Sequence, residues 1–159
     1  MTKQESFIER CYPLAVKAGE RFGMNPLTIL AQGAFESDWG TSVGATQRKN
    51  FFGIIAAGSA NDFWDGSYSV ANNQYKLKFR TYKTEQDSFL DFARLIKEKY
   101  TQAYASSYDH NAYAQAIAYS PYISESNGDN RESYRKSVIR LYDTVKELVT
   151  KNRSPEQQP

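Results

Sequence analysis

One carboxyl side chain in this sequence lies where charged groups are uncommon. Glu36 follows the largely apolar segment 26–35 and stands three residues before Trp39. Burial beside Phe35 and Trp39 disfavours the charged form of a carboxylate, and the negative end of a helix dipole acts in the same direction. We therefore predict a raised pKa for Glu36 and a capacity to donate a proton to a leaving oxygen. An exposed glutamate that ends a helix is the simpler interpretation of the same pattern.

That proton transfer is needed when a glycosidic bond is cut, because the departing sugar oxygen must be protonated as the bond breaks. Lysozyme holds its catalytic glutamate against a tryptophan in a comparable way. The sequence also contains twelve tyrosines and nine phenylalanines, and amphipathic rings suit the partly apolar faces of sugars. Packing in the core is the alternative explanation for any one of these rings.

Other kinds of chemistry have little support. Cys11 is the only cysteine and His110 the only histidine, so the chain cannot form an internal disulfide and offers no Cys/His metal cluster. A Ser or Cys nucleophile usually needs a positioned imidazole, whereas His110 stands in a polar stretch and is interpreted as a surface residue. We expect neither a metal nor an organic cofactor.

The charge pattern narrows the choice of partners. Twenty basic and eighteen acidic residues are spread along 159 positions, which gives a net charge of +2. Without a basic run, nucleic acid is a poor candidate partner. No apolar run reaches the length of a membrane span, and the first ten residues lack the apolar stretch of an export signal. We expect no membrane insertion and, for work outside the cytoplasm, a removed signal or a non-classical delivery route.

Periodicity predicts two helices before Glu36. Apolar residues recur every three or four positions over 6–22, and Gly23 follows as a stop signal. Asn25 can cap a second helix that has Pro26 at its first position. This second helix is apolar on most of its surface, so it should cross the interior. Residues 40–50 are rich in Gly, Ser, Thr and Gln and predict an exposed loop.

A small β-region should follow, and then more helix. Residues 51–55 form a short apolar run, and apolar and basic residues alternate over 75–80 behind a turn at Asn72-Asn73. Further helices are predicted after Thr84, over 112–118 and from Tyr134 to Leu148. Residues 1–150 should thus form one mainly α domain with a small β-hairpin lobe flanking a cleft, and 151–159 a disordered tail.

An ordered set of motifs makes the sequence resemble a known family. The family is that of the flagellar-type peptidoglycan glucosaminidases, also called the mannosyl-glycoprotein endo-β-N-acetylglucosaminidase-like domain. The matching elements are Glu36-Ser37-Asp38-Trp39-Gly40, Asn50-Phe51-Phe52-Gly53-Ile54, Trp64-Asp65-Gly66, Phe79-Arg80-Thr81-Tyr82 and Asp87-Ser88-Phe89-Leu90-Asp91-Phe92. The likeness extends over residues 7–148 and implies a lysozyme-like α+β fold that cuts peptidoglycan.

The resemblance also implies roles for single residues. Glu36 becomes the general acid, and Tyr119 matches a tyrosine that the family places in its active site. The residues expected to bind the glycan are Trp39, Asn50, Phe52, Trp64, Tyr82 and Tyr122. A loop-packing role is the alternative for Tyr119.

The sequence departs from the family in its second carboxylate. Many relatives carry a second glutamate in the β-lobe, but residues 67–80 contain no acidic residue. Asp62 or Asp65 could supply a base instead, although each also suits a turn. The other route is substrate assistance, in which the acetamido group of N-acetylglucosamine attacks its own anomeric carbon. We favour that route.

The resemblance predicts hydrolysis of the β-1,4 bond after N-acetylglucosamine, in the periplasm or cell wall. One alternative is a lytic transglycosylase, which forms an anhydro sugar, and another is a non-catalytic wall-binding module. We expect peptidoglycan glycan strands as the partner, leave room for a protein inhibitor or secretion partner, and expect a monomer.

Overall fold

The computed structural model describes residues 1–125 and 129–152, and this part of the chain contains seven helices and one two-stranded sheet. The mainly α fold with a small β-lobe is confirmed. The elements are α1 (Lys3–Phe22), α2 (Pro26–Ser37), α3 (Val43–Arg48), β1 (Tyr68–Val70), β2 (Lys78–Arg80), α4 (Glu85–Lys99), α5 (Thr101–Ala105), α6 (His110–Ala118) and α7 (Arg131–Asn152).

The first two helices begin and end at the predicted signals. Thr2 and Glu5 form a reciprocal capping box at the start of α1, and Gly23 ends that helix with a φ of 70°, a left-handed conformation that glycine adopts without strain. The side chain of Asn25 accepts a hydrogen bond from the amide of Leu27, and Pro26 occupies the first helical position.

Helix α2 lies in the middle of the molecule and packs against α1 and α7. Its apolar residues from Ile29 to Ala34 are almost fully buried, which explains why the sequence lacks a polar face here. Burial of each large apolar side chain contributes about 1.5–3 kcal/mol. The last turn of α2 emerges from this core and carries Glu36.

The predicted loop at 40–50 is partly helical. Ser42 accepts a hydrogen bond from the amide of Ala45 and caps the short helix α3, and Ala45 is buried. Short helix α5 was also not predicted. Neither segment is long enough to show the apolar period of a helix. Each has a single buried side chain, Ala45 in α3 and Ala103 in α5, so no repeating pattern was available to predict them.

The β-lobe differs from the predicted alternation. Strands β1 and β2 pair antiparallel with Tyr68 opposite Arg80, and residues 51–55 contribute a single bridge, from Ile55 to Phe79. Tyr75 and Leu77, predicted to face inward, are exposed. Arg80, predicted to face outward, is 5% exposed, because its guanidinium pairs with a buried carboxylate of α4.

Helix α7 extends two residues into the predicted tail, so Lys151 and Asn152 are helical. The remainder of that tail, 153–159, lies outside the described residues. Within the described ranges, no helix combines the length and apolar character that a membrane crossing requires. The same ranges hold no cluster of three His, Cys, Asp or Glu side chains that could bind a metal ion.

Candidate active site

A cleft of about 1120 Å³ separates the β-lobe from the helices. One wall comes from the β-lobe and the segment before it, another from the C-terminal half of α4, and a third from the loop after α6 and the start of α7. The side chains that line it include Glu36, Phe52, Ile55, Leu77, Phe79, Arg94, Glu98, Tyr100, Tyr122, Asp129 and Tyr134. The lining thus combines aromatic rings with charged groups, a composition that suits the partly apolar faces of sugars.

Glu36 is located on the last turn of α2 and lines the cleft as a partly buried side chain. Its Oε1 accepts a hydrogen bond of 2.9 Å from the hydroxyl of Tyr134. Burial raises the pKa of Glu36 to about 7; the Tyr134 hydrogen bond opposes this rise, and the charge of Asp129 adds to it. A substantial fraction of the carboxyl groups is therefore protonated at neutral pH.

The backbone at Gly53 passes close to the other oxygen of this carboxyl group. Gly53 has a φ of 64°, and a Cβ at this position would lie 3.6 Å from Glu36 Oε2. The left-handed conformation is what favours glycine here, because a Cβ would make only an ordinary van der Waals contact with Glu36. Glu36 Oε2 thus lies beside the segment that joins α3 to the β-lobe.

Three buried polar residues beneath Glu36 were missed by the sequence analysis. Gln32 and Tyr113 are fully buried and Tyr134 is nearly so. The Gln32 amide nitrogen donates to the Tyr134 hydroxyl at 3.1 Å, and the Tyr113 hydroxyl donates to the Gln32 carbonyl. One signal was available, because Gln32 precedes Glu36 by four residues and so shares its helix face.

Two of the residues predicted to bind glycan do line the cleft, namely Phe52 and Tyr122. The ring of Phe52 is buried and stacks on Phe92 at 3.9 Å. The hydroxyl of Tyr122 donates to the Phe52 carbonyl at 3.3 Å. These contacts join the loop after α6 to the wall of the cleft beside Glu36.

Asn50, Trp64 and Tyr82, also predicted to bind glycan, are buried outside the cleft lining and build the β-lobe instead. Asn50 makes hydrogen bonds to the backbone of residues 54 and 80. The Arg80 guanidinium lies 3.8 Å from the ring centre of Trp64, and the Tyr82 hydroxyl donates to Asp91 at 2.5 Å. Their motif positions therefore reflect the architecture that shapes the cleft.

Trp39 and Tyr119 are also outside the lining of the cleft. Trp39 packs edge-on against Phe7 of α1 with 5.7 Å between ring centres. The positive φ values of residues 38 and 39 turn the chain away after α2. Tyr119 is 52% exposed and its hydroxyl donates to Glu132 at 2.9 Å. Tyr134 is the tyrosine that contacts Glu36.

The aspartates proposed as a base do not line the cleft. Asp65 is exposed and accepts a hydrogen bond of 2.9 Å from the Ser67 amide. Hydrogen bonds with the side chain and then the backbone of Ser67 lower the pKa of Asp65. Asp62 is exposed as well. Among the described residues that line the cleft, the carboxylates besides Glu36 are Glu98 and Asp129. Glu98 pairs with Arg94 at 2.7 Å, and the charge of Asp129 acts on Glu36.

Comparison with known proteins identifies the family of the chain. The sequence profile of the family described as mannosyl-glycoprotein endo-beta-N-acetylglucosaminidase matches residues 12–147, which is most of the chain. The chain belongs to this glucosaminidase family. The family match includes Glu36 and every element that lines the cleft.

Curated relatives are similar in sequence. The peptidoglycan hydrolase FlgJ of Vibrio parahaemolyticus is 30% identical over 135 residues, which cover 76% of this chain and 42% of that protein. This glucosaminidase chain spans less than half the length of the curated relatives it matches.

Solved structures share the fold of this glucosaminidase chain. The glycoside hydrolase domain of Salmonella typhimurium FlgJ has a TM-score of 0.69 at 24% identity, with 95% of this chain and 92% of that one covered. A type VI secretion system effector-immunity complex from Pseudomonas protegens has a TM-score of 0.69 at 17% identity, with 92% and 94% covered. At such identities the likeness concerns the fold alone.

Proposed function

We propose that this domain hydrolyses the β-1,4 glycosidic bond after N-acetylglucosamine in peptidoglycan, with Glu36 as the general acid. The observation that carries the proposal is the carboxyl group of Glu36, which lines the cleft and has its pKa raised to about 7. Membership of the glucosaminidase family and the likeness to peptidoglycan hydrolases support the choice of substrate.

Glu36 suits both halves of the reaction. Protonated Glu36 donates its proton to the leaving sugar oxygen as the bond to the anomeric carbon breaks. The resulting carboxylate then accepts a proton from the water that completes hydrolysis. A group with a pKa near the working pH performs both transfers well, because neither protonation state is scarce.

Substrate assistance is the route we favour for the other half of the displacement. The acetamido oxygen attacks the anomeric carbon, and water later opens the cyclic intermediate. The route is supported by the β-lobe, where Asp62 and Asp65 are exposed and lie outside the cleft lining. We propose that Asp129, which lines the same cleft and whose charge acts on Glu36, stabilises the positive charge that develops at the anomeric centre.

Product analysis tests the reaction. We expect digestion of purified peptidoglycan, followed by reduction and mass spectrometry, to yield N-acetylglucosamine at the reducing ends. The first-formed product should retain its anomeric configuration by NMR; an inverted product would exclude substrate assistance. Anhydro sugars, lighter by one water, would identify a transglycosylase, and binding to sacculi without release of fragments would identify a wall-binding module.

Asp65→Asn provides a matched control in the same assay. Asparagine keeps the oxygen that accepts from the Ser67 amide but removes the negative charge. We expect Asp65→Asn to retain wild-type activity, because the Asp65 side chain lies outside the cleft lining. A loss of activity in this variant would assign the base role to Asp65 after all.

The pH dependence should follow the protonation of Glu36. We expect kcat/KM to decline above pH 7, by about tenfold per unit once Glu36 is mostly ionised. Initial rates of release of soluble fragments between pH 5 and 9 measure this limb. A basic limb near the ordinary pKa of a glutamate, 4.5, would contradict the proposed role.

The site of action follows from the substrate, which is the bacterial cell wall. An inhibitory protein partner is supported by the Pseudomonas protegens structure, which is that of an effector-immunity complex. We propose that such a partner would cover the cleft beside the exposed side chains of Ile55 and Leu77. The monomeric state remains a prediction.

A further inference from the structure

The hydrogen bonds beneath Glu36 form a continuous chain through the protein core. It starts at Tyr113 on α6, passes through Gln32 on α2 and Tyr134 on α7, and ends at Glu36 Oε1. The three residues besides Glu36 are at most 7% exposed. A buried, hydrogen-bonded polar group stabilises a protein little more than an apolar residue of similar shape. A row of such groups that ends at the proposed catalytic carboxyl group therefore suggests a role beyond packing.

Each bond in the chain has a direction that chemistry dictates. An amide group has a carbonyl that only accepts and a nitrogen that only donates. Because the Tyr113 hydroxyl donates to the Gln32 carbonyl, the Gln32 nitrogen faces Tyr134 and donates to its oxygen at 3.1 Å. The single proton of the Tyr134 hydroxyl is then directed to Glu36 Oε1, at 2.9 Å.

This direction decides where the acid proton of Glu36 resides. Oε1 acts as an acceptor for Tyr134, so a proton on the carboxyl group belongs on Oε2. Oε2 is the oxygen beside Gly53, and Gly53 lines the cleft. These hydrogen bonds therefore keep the proton on one defined oxygen of Glu36, the one on the side of the cleft where the glycan would lie.

We propose that Gln32, Tyr113 and Tyr134 are positioning residues that keep the transferable proton of Glu36 on Oε2. The proposal rests on the proposed function, in which Glu36 is the general acid. Without the donor from Gln32, the Tyr134 hydroxyl is free to rotate and Glu36 Oε1 can hold the proton instead, facing the core. Proton transfer to the glycan then first requires rearrangement.

The titratable groups around Glu36 determine how its pKa should respond when the hydrogen bonds beneath it are removed. The titratable groups that interact with it are Tyr134 on α7, Asp129 before α7, Tyr113 on α6 and Tyr122 after α6. Tyr134 is the one whose hydrogen bond lowers the pKa of Glu36. Loss of that bond should therefore move the basic limb of the pH profile to higher pH, because the carboxylate loses a donor.

The experiment compares Tyr134→Phe, Gln32→Met and the double variant on purified peptidoglycan. We expect Tyr134→Phe to lower kcat about tenfold at the optimum, to leave KM nearly unchanged and to raise the basic limb by up to about one pH unit. Gln32→Met, which is close in volume, should shift both quantities in the same direction. The double variant should be no slower than Tyr134→Phe alone, because Gln32 acts through Tyr134.

Tyr142→Phe is the matched control, because Tyr142 is also a buried tyrosine of α7 whose hydroxyl accepts a hydrogen bond from a side-chain amide, that of Asn25 at 3.1 Å. It should lose similar stability but keep the wild-type kcat and pH limb. The proposal would be overturned if the basic limb of the pH profile stays in place in Tyr134→Phe and Gln32→Met. It would also be overturned if the two losses of kcat multiply in the double variant. An active Glu36→Gln variant would instead overturn the proposed function itself, so the two failures are distinguishable.

Discussion

Glu36→Gln should lower the rate of peptidoglycan cleavage by about 10²–10⁴-fold, the usual contribution of a general acid. Glutamine keeps the size of the side chain and an oxygen that can accept from Tyr134, but it has no proton to transfer. The binding of glycan should change little, since the cleft keeps its shape. Single-turnover digestion and binding to purified sacculi, measured side by side, separate the loss of chemistry from a loss of binding.

The stability of Glu36→Gln gives an independent check of the raised pKa. The pKa of Glu36 is about 7 in the folded state and about 4.5 when exposed, so the folded protein favours the protonated form. Its stabilising contribution is complete below pH 4.5 and is lost as the pH rises through 7. Glutamine does not ionise, so the variant should exceed wild type by up to about 3 kcal/mol at pH 9 and match it near pH 4.

Thermal or urea unfolding between pH 4 and 9 measures this difference. A variant that is less stable than wild type at every pH would show that Glu36 has a structural role. The inactivity of Glu36→Gln could then be explained by misfolding. A difference that grows with pH would instead confirm that burial of the carboxylate costs stability, as expected for a group retained for function.

Asp91→Ala should destabilise the protein by about 3–5 kcal/mol, because it leaves a buried guanidinium without its carboxylate. Asp91 is fully buried and accepts hydrogen bonds from Arg80 at 2.7 Å, Tyr82 at 2.5 Å, Arg94 at 2.9 Å and Asn61 at 3.0 Å. The bonds from Arg80 and Tyr82 tie α4 to the β-lobe. Urea unfolding at neutral pH measures the loss, and activity should decrease as the β-lobe loses its anchor.

Glu98→Ala is the matched control for stability, because Glu98 also pairs with Arg94, at 2.7 Å, but its side chain is 55% exposed. An exposed ion pair of this kind contributes about 0–1 kcal/mol. A cost for Asp91→Ala that does not exceed the cost for Glu98→Ala would mean that the β-lobe is held by packing alone.

Local signals were sufficient for much of the helical framework. The caps at Thr84 and Asn25, the stop at Gly23 and the apolar period of α1 and α7 depend on residues close together in the chain. The β-lobe was harder to predict, because its two strands have only three residues each and its most buried strand side chain is that of Arg80. From sequence alone, a charged residue such as Arg80 is predicted to be exposed, unless its buried partner, here Asp91, is known to be close.

The aromatic residues of the motifs show the same limit. The motif resemblance assigned Trp64 and Tyr82 to the glycan, yet they lie against Arg80 and Asp91 inside the β-lobe. Residue type indicates which contacts an aromatic ring can make, but not whether the ring lines the cleft or packs inside the β-lobe. Burial resolves that choice, and burial depends on the neighbours that the fold supplies.

The sequence by itself determined the position of Glu36 at the end of an apolar helix and indicated the family. The role of Glu36 as general acid stays a prediction that the sequence suggested. Only the tertiary structure decided which groups surround it. Tyr134 lies 98 residues from Glu36 along the chain. The spacing of apolar residues in α7 predicted that Tyr134 would be part of the core. Its hydroxyl reaches Glu36 because α2 and α7 pack side by side. Proximity across two helices follows from packing and has no local signal in either segment.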